Sequence, residues 1–393
     1  MPDPVGATPR KQGLPLKSLP GAKRVKMRYG PYSVPNIRAR SVTGEQGSLW
    51  NYPDLTPEKP CKECTVLRVV AGLEYPNGTN ANFDTGVWLH HLNLMTVGPT
   101  RWDPTCLGDT DSFPNFAVNA STYQSERFFY SGNERTPAEL THIPNILNTT
   151  TRVMSDGPYS NVTTGRTKAG YYLRPEDQFR LIVDLINMNH NDRLVYVTLT
   201  FDYLDGPLPA GWQDIKPVWL DVDNCGSSEV RPPVETGKFV LSSRPWTPNV
   251  EGEVVGTIGG ITDGAAGLRV FATGPGSGKY ESAACTPQAR YSEREEYVHR
   301  TRRNEITGGM RWAADHVSSL TPCWYPGIGE RRMDRSQRWT VQALYDYGQY
   351  PGNKDPDGEQ LDVMGLAMVY VAVPPAGVKA PAPVRRRLTR RSI

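Results

Sequence analysis

The sequence has no run of about 20 apolar residues, the length a helix needs to cross a bilayer, and its longest hydrophobic stretches are strand-sized. No membrane span is expected. Met1 to Pro20 contains no apolar core of the kind secretory leaders carry, so no signal peptide is visible there. Charge of one sign is also lacking. The 44 Lys and Arg against 41 Asp and Glu leave a net +3, too little for a global field that would draw nucleic acid. No nucleic-acid partner is expected. Helical periodicity is nearly missing: Arg290–Arg303 (RYSEREEYVHRTRR), charged almost all round, is the single stretch that reads as a surface helix.

What is present points to strands. The 37 Gly and 35 Pro supply many turns, as sandwiches and barrels require. Thr65–Tyr75 is rich in β-branched and apolar residues, and Val87–Val97 (VWLHHLNLMTV) is another strand. In Leu194–Tyr203 the apolar set Val195, Val197, Leu199 and Phe201 alternates with Tyr196, Thr198, Thr200 and Asp202, the pattern of a half-buried antiparallel strand. A chain of 393 residues fits two domains plus tails. The expected architecture is all-β: two jelly-roll-like antiparallel β-sandwich domains with disordered basic tails. Residues 1–44 form a basic Pro- and Gly-rich tail, 45–210 the first sandwich, 211–373 the second, and 374–393 a basic C-terminal tail.

Six cysteines, Cys61, Cys64, Cys106, Cys225, Cys285 and Cys323, are spread along the chain and suit disulfides, in any of 15 connectivities. Cys61-x-x-Cys64 is followed by a strand, which argues against a thioredoxin-like redox motif. Asn77, Asn119, Asn148 and Asn161 begin glycosylation sequons. Together these features predict a secreted, disulfide-bonded glycoprotein that meets an extracellular ligand.

The six histidines include one adjacent pair, His90-His91. On a regular strand neighbouring side chains point to opposite faces, so one metal reaches both only if the strand is bulged. Imidazole suits copper, zinc and iron. His142, His299 and His316 have no partner at metal-ligand spacing and read as structural or exposed.

GSLWNYPDL, KPCKEC, GLEYPNGTNANFDTG, LHHLNL, SGNERT, AGYYLRPEDQF, KPVWLDV and LYDYGQYPG together resemble a family of fungal secreted proteins of the stress-up-regulated nodulin type, over roughly residues 45–373. That family is distantly similar to the copper-dependent peptidylglycine α-hydroxylating monooxygenases, whose two domains each hold one copper. The resemblance implies that His90 and His91 match the paired histidines of one copper. The third histidine is expected in the strand resembling Phe179–Ile186, where this sequence offers Asp184 instead. His190, slightly downstream, is the candidate substitute. For the other copper the resemblance implies a His-x-His pair and a Met. Gly260 and Thr262 stand where the pair is expected, and Met364 stands for the Met.

Glycine has no ligand atom and threonine is a poor copper ligand, so the residues argue against two-copper monooxygenase turnover and favour a protein that acts by binding. The alternative is a copper-binding redox protein with copper at one site, held by His90 and His91 with His190 or a solvent ligand, or a monooxygenase using His90 and His91 with a rebuilt second site. The two differ in one observable. The imidazoles of His90 and His91 either converge with a third donor or splay apart.

Overall fold

Period-two patterning and closely spaced turns carry through into strands along the whole chain. The computed structural model describes residues 1–16, 20–109, 114–115, 117–142, 167–275, 284–292, 315–324, 332–354 and 358–374. Among these the regular structure is all strand apart from one 3-10 turn, Phe83–Thr85. The first half runs β1 (Lys11–Leu14), β2 (Ala22–Val34), β3 (Ser48–Asp54), β4 (Cys64–Glu74), β5 (Val87–Val97), β6 (Ser125–Gly132), β7 (Ala138–Glu139), β8 (Ala169–Leu173), β9 (Gln178–Asn187) and β10 (Arg193–Asp205). The second runs β11 (Gln213–Asp221), β12 (Glu229–Val230), β13 (Lys238–Ser242), β14 (Gly252–Ile261), β15 (Ala265–Thr273), β16 (Ala289–Tyr291), β17 (Val317–Leu320), β18 (Cys323–Trp324), β19 (Arg332–Met333), β20 (Arg338–Asp346) and β21 (Val363–Val373).

Two sandwiches result. In the first, β2-β10-β4-β8 faces β3-β9-β5-β6, with Val69, Leu92, Leu94, Leu181, Val183 and Leu199 buried between them. In the second, β11-β21-β14 faces β13-β20-β15 around Val218, Leu268, Val341 and Val369. The large sheet is continuous across both halves, because β8 and β11 pair in parallel at Ala169–Gln213 and Gly170–Asp214. Trp219, Ile258, Met364 and Leu366 of the second half pack in the same apolar cluster as Phe128 and Tyr130 of the first. The halves therefore share a core across residue 210.

The N-terminal segment is not a tail. β2 pairs with β10 along nearly its whole length and buries Val25, Met27, Tyr29, Tyr32 and Val34. Its basic residues alternate with these and meet acids on neighbouring strands: Arg24 with Asp202 at 2.5 Å, Lys26 with Glu74 at 2.6 Å and Arg28 with Glu74 at 3.1 Å. A basic segment read by composition alone hides this two-residue period. β10 is correspondingly buried on both faces rather than half-buried. Tyr196 lies under the Arg28 guanidinium, 4.1 Å from its ring centre, and donates to Asp3 at 2.6 Å. At the expected surface helix, Arg290 and Tyr291 belong to β16, and residues 293–303 lie outside the described residues. So do residues 375–393 of the C-terminal tail. No helix of the described residues is long and apolar enough to cross a membrane.

All six cysteines are paired: Cys61–Cys64, Cys106–Cys225 and Cys285–Cys323. Three disulfides fit an oxidising compartment. Of the sequons, Asn77 and Asn119 are exposed; Asn148 and Asn161 lie outside the described residues.

Candidate metal centre

β5 contains the bulge that paired histidines require. Leu89 stands opposite Leu185 on β9, and His91 stands opposite the next residue, Asp184, so His90 is the inserted residue. The insertion flips the alternation of the strand. Leu89, Leu92 and Leu94 all reach the core, while His91 and Asn93 turn to the other face. On β9 the same logic buries Leu181, Val183 and Leu185 in the core and leaves Asp184 facing His91.

The result is a cluster in which one ligand atom each from His90, His91 and Asp184 lies within 4.8 Å of the others. The two Nδ1 atoms are 3.2 Å apart, and His90 Nδ1 is 3.8 Å from Asp184 Oδ1. Tetrahedral ligation at about 2.0–2.1 Å sets ligand atoms about 3.3–3.4 Å apart, so the donor set fits a metal ion. Asn51 orients the second imidazole. Its carbonyl oxygen accepts from His91 Nε2 at 2.7 Å, which fixes the tautomer and leaves Nδ1 with its lone pair. Asn51 reaches this position from an irregular stretch of β3, where the register slips between Leu49 and Tyr52 and Asn51 takes φ 42°. Asparagine tolerates that left-handed backbone better than most residues. Asp184 is itself held by the backbone N–H of Asn51 at 3.2 Å and the Ser48 hydroxyl at 3.4 Å.

The electrostatics suit a cation. Burial pulls His90 down, yet the carboxylates around it, Asp184 foremost and then Glu45, Glu229 and Asp263, leave its pKa raised. Burial, with His90 beside it, takes His91 well below the ordinary range. Burial pushes Asp184 up to about 8 against the pull of His90. Burial also pushes Glu134, of the SGNERT motif, up to about 8, and its Oε1 has no partner among the described residues. A buried concentration of acids around one imidazole pair is costly without a positive charge to share.

His190, the sequence-based third ligand, is exposed in the loop between β9 and β10 and is not part of the cluster; the third donor is Asp184. The hydrogen bond from His91 to Asn51 is visible only in three dimensions, although Asn51 lies in one of the family-like motifs. His316 is not unpartnered. Its Nδ1 lies 2.5 Å from Asp263 Oδ2 and its ring stacks on Phe83 with centres 3.8 Å apart. His142 is buried and bonds to the Val255 carbonyl at 2.7 Å. His299 lies outside the described residues.

The second expected metal position does not fit a metal. Met364 is buried, and its sulfur accepts from the Tyr130 hydroxyl at 3.2 Å. A Cβ placed on Gly260 would lie 2.1 Å from the Tyr130 ring, so the phenol occupies the volume a side chain at 260 needs. Tyr345 donates to the Met364 carbonyl at 2.6 Å. Its oxygen therefore accepts from Thr262, at 2.9 Å. Thr262 and Met364 are bonded to tyrosines and Gly260 is packed against one, so the three positions are not open to an ion.

No family model matches the chain. It is 27% identical over 359 residues to the "Probable copper-dependent oxygenase M1" of Phoma sp., covering 91% of this chain and 73% of that protein. It is 27% identical over 317 residues to the "Probable copper-dependent oxygenase clz3" of Cochliobolus lunatus, covering 80% and 79%. Two solved structures of PNGF-II match at 9% identity with TM-scores of 0.33 and 0.31, and the chain spans 65% and 63% of their length; a likeness that low carries no argument. The protein is thus a distant relative of chains named as copper-dependent oxygenases.

Proposed function

We propose that this protein binds one copper ion at His90, His91 and Asp184 and performs oxidative chemistry there, as a secreted, single-site relative of the copper-dependent oxygenases. The observation that carries the reading is that one ligand atom each from His90, His91 and Asp184 lies within 4.8 Å of the others across a bulge. Two imidazoles and a carboxylate suit copper, which when bound supplies one-electron redox chemistry. The chain's own residues set its surroundings. The inserted His90 brings two ring nitrogens to one side of β5. Asn51 keeps the proton of His91 on Nε2. Asp184 offsets the positive charge, and burial of the cluster keeps bulk water away. The relatives' names support copper and oxidation as the chemistry. The disulfides and the exposed sequons at Asn77 and Asn119 support passage through a secretory route.

A second reading, action by binding an extracellular ligand without turnover, draws on the Tyr130 ring that fills the position at Gly260. Metal analysis separates the two. The purified chain, loaded with copper and dialysed, is expected to retain stoichiometric copper, to lose it as His90→Ala/His91→Ala, and to hold it more weakly as Asp184→Asn. Wild-type protein without copper after loading sinks the metal reading; two coppers per chain sink the single-site reading.

A further inference from the structure

We propose that His316 and Asp263 form a dyad that the second half of the chain brings to the copper centre of the first, with His316 Nε2 as the base that takes a proton from an O–H or N–H group of the substrate. The inference rests on the reading of oxidative chemistry at His90, His91 and Asp184; the geometry of the dyad does not.

Asp263 lies on the turn between β14 and β15 and is buried. Its Oδ1 accepts from the backbone N–H of Val317 at 2.7 Å, and its Oδ2 lies 2.5 Å from His316 Nδ1. With both oxygens engaged the carboxylate is fixed in place. It holds the proton of a neutral imidazole on Nδ1 and leaves the lone pair on Nε2. That second nitrogen makes no hydrogen bond to the described residues and is not closed off by them. The flat side of the ring rests on Phe83 of the first sandwich, with 3.8 Å between centres and 9° between planes. Yet 18% of the His316 side chain is exposed, so the imidazole is held at one nitrogen and one face while an edge stays open. A nucleophile or base oriented by a third group in this way acts with little reorganisation.

The metal centre is close by. One indole packs against both imidazoles: the ring centre of Trp88 is 5.4 Å from that of His90 and 5.9 Å from that of His316. Asp263 is among the carboxylates that raise the pKa of His90, and its charge also reaches Glu134. The nearby charged groups in sequence are acidic too, Asp84 in the turn that carries Phe83 and Asp315 beside His316. An imidazolium at His316 is therefore met by negative charge, that of Asp263 foremost. Oxidation of an O–H or N–H group releases protons along with electrons. His90, His91 and Asp184 cannot accept them, because their lone pairs are the ones offered to the metal. The proton passes to His316 Nε2, the imidazolium pairs with Asp263, and the open edge of the ring returns the proton to water.

The first test needs no metal. The copper-free, full-length chain is acylated with diethyl pyrocarbonate at pH 8, above the ordinary histidine value of about 6.5, and each histidine is followed by peptide mass spectrometry. Exposed His190 is the internal reference. His316 is expected to react faster than His190 despite its lower exposure, and slower than His190 in Asp263→Asn, where the positioning carboxylate is gone. A slower His316 in the wild type, or a ratio unchanged by Asp263→Asn, overturns the dyad; should that variant not fold, the wild-type ratio decides. The second test follows oxygen uptake by the copper-loaded chain with 4-methylcatechol, whose oxidation to the quinone releases two electrons and two protons and converts dioxygen to hydrogen peroxide. His316→Gln is expected to keep its copper and to slow uptake at saturating catechol by about 100-fold, the usual scale of general-base catalysis. Undiminished uptake with copper retained, or no uptake by the copper-loaded wild type, overturns the proton-accepting role. A wild-type chain that takes up no copper removes the metal reading, and the acylation ratio then decides the dyad alone.

Discussion

β5 and β14 carry the two stretches where the family resemblance places metal ligands, and they differ in what the backbone does. On β5 a single inserted residue breaks the ladder at His90 and gathers three donors. On β14 the ladder is regular through Gly260 and Ile261, and the space beside Gly260 is taken by Tyr130. The difference shows that a metal position is set by what fills the volume as well as by which donors are present. Donors restored to β14 would still meet a packed ring, whereas β5 holds its donors in place because its irregularity is itself built into the pairing.

The most severe test of that contrast removes the insertion. Deleting His90 leaves Leu89 opposite Leu185 and His91 opposite Asp184, as now, so a regular ladder forms and the core residues keep their faces. The expected outcome is a folded protein, by circular dichroism and thermal unfolding, that has lost stoichiometric copper. Retention of copper would mean that the bulge does not assemble the site.

Next in size is the covalent tie between the halves. Cys106 follows β5 and Cys225 follows β11, 119 residues apart, whereas Cys61 and Cys64 are separated by only 3. Chain-entropy reasoning makes the long loop worth about 5 kcal/mol and the short one about 2 kcal/mol. Paired Cys→Ser replacement measured by denaturant unfolding is expected to follow that order. A larger loss from Cys61/Cys64 would break the expectation that the crosslink closing the longer loop contributes more.

Much of this was legible in the sequence. The all-β class followed from turn density and alternation. His90-His91 stands out because few histidines exist and two are adjacent, and both serve one ion only across a bulge. Asp184 stands in the third ligand's place and His190, slightly downstream, is the candidate substitute by sequence; the register of β5 on β9 sets Asp184 beside the histidines instead. β2 was missed because its lysines and arginines dominate composition, and only their acidic partners on β4 and β10 reveal a strand. Nothing in the sequence could place Tyr130 against Gly260, since the contact joins residues 130 positions apart through the packing of two sandwiches.

Gly260→His sharpens the comparison directly. The added side chain enters the volume of Tyr130 and should destabilise by about 1–3 kcal/mol, the usual cost of overpacking, without adding a second copper. Tyr130→Ala in the same chain is expected to recover part of that stability. Full stability in Gly260→His alone would mean that the ring moves freely and that the volume is not the obstacle.

The last difference is proton-linked. The groups bonded at the β14 position are phenols and a hydroxyl, whereas Asp184 and Glu134 are buried carboxyls near His90, and Glu139 is a further buried carboxyl on β7 beside β4. Burial holds the Glu134 pKa at about 8, from an ordinary value of 4.5, and Glu139 at about 7, with Arg68 opposing part of the rise. In the window between these values the native state keeps protons that the unfolded chain has released. Stability therefore falls as pH rises, in full force below about 4.5 and lost by about 8 for Glu134. One such group contributes at most about 1.4 kcal/mol per pH unit. Unfolding of the copper-free chain by urea should show a negative slope from pH 5 to 8, and Glu134→Gln should make it shallower, Asp184 and Glu139 keeping the rest, while Thr262→Val leaves it unchanged. Parallel wild-type and Glu134→Gln curves would show that this carboxyl is ionised in the fold. The acids near His90 would then already be matched by positive charge, and the contrast between the two regions would rest on volume alone.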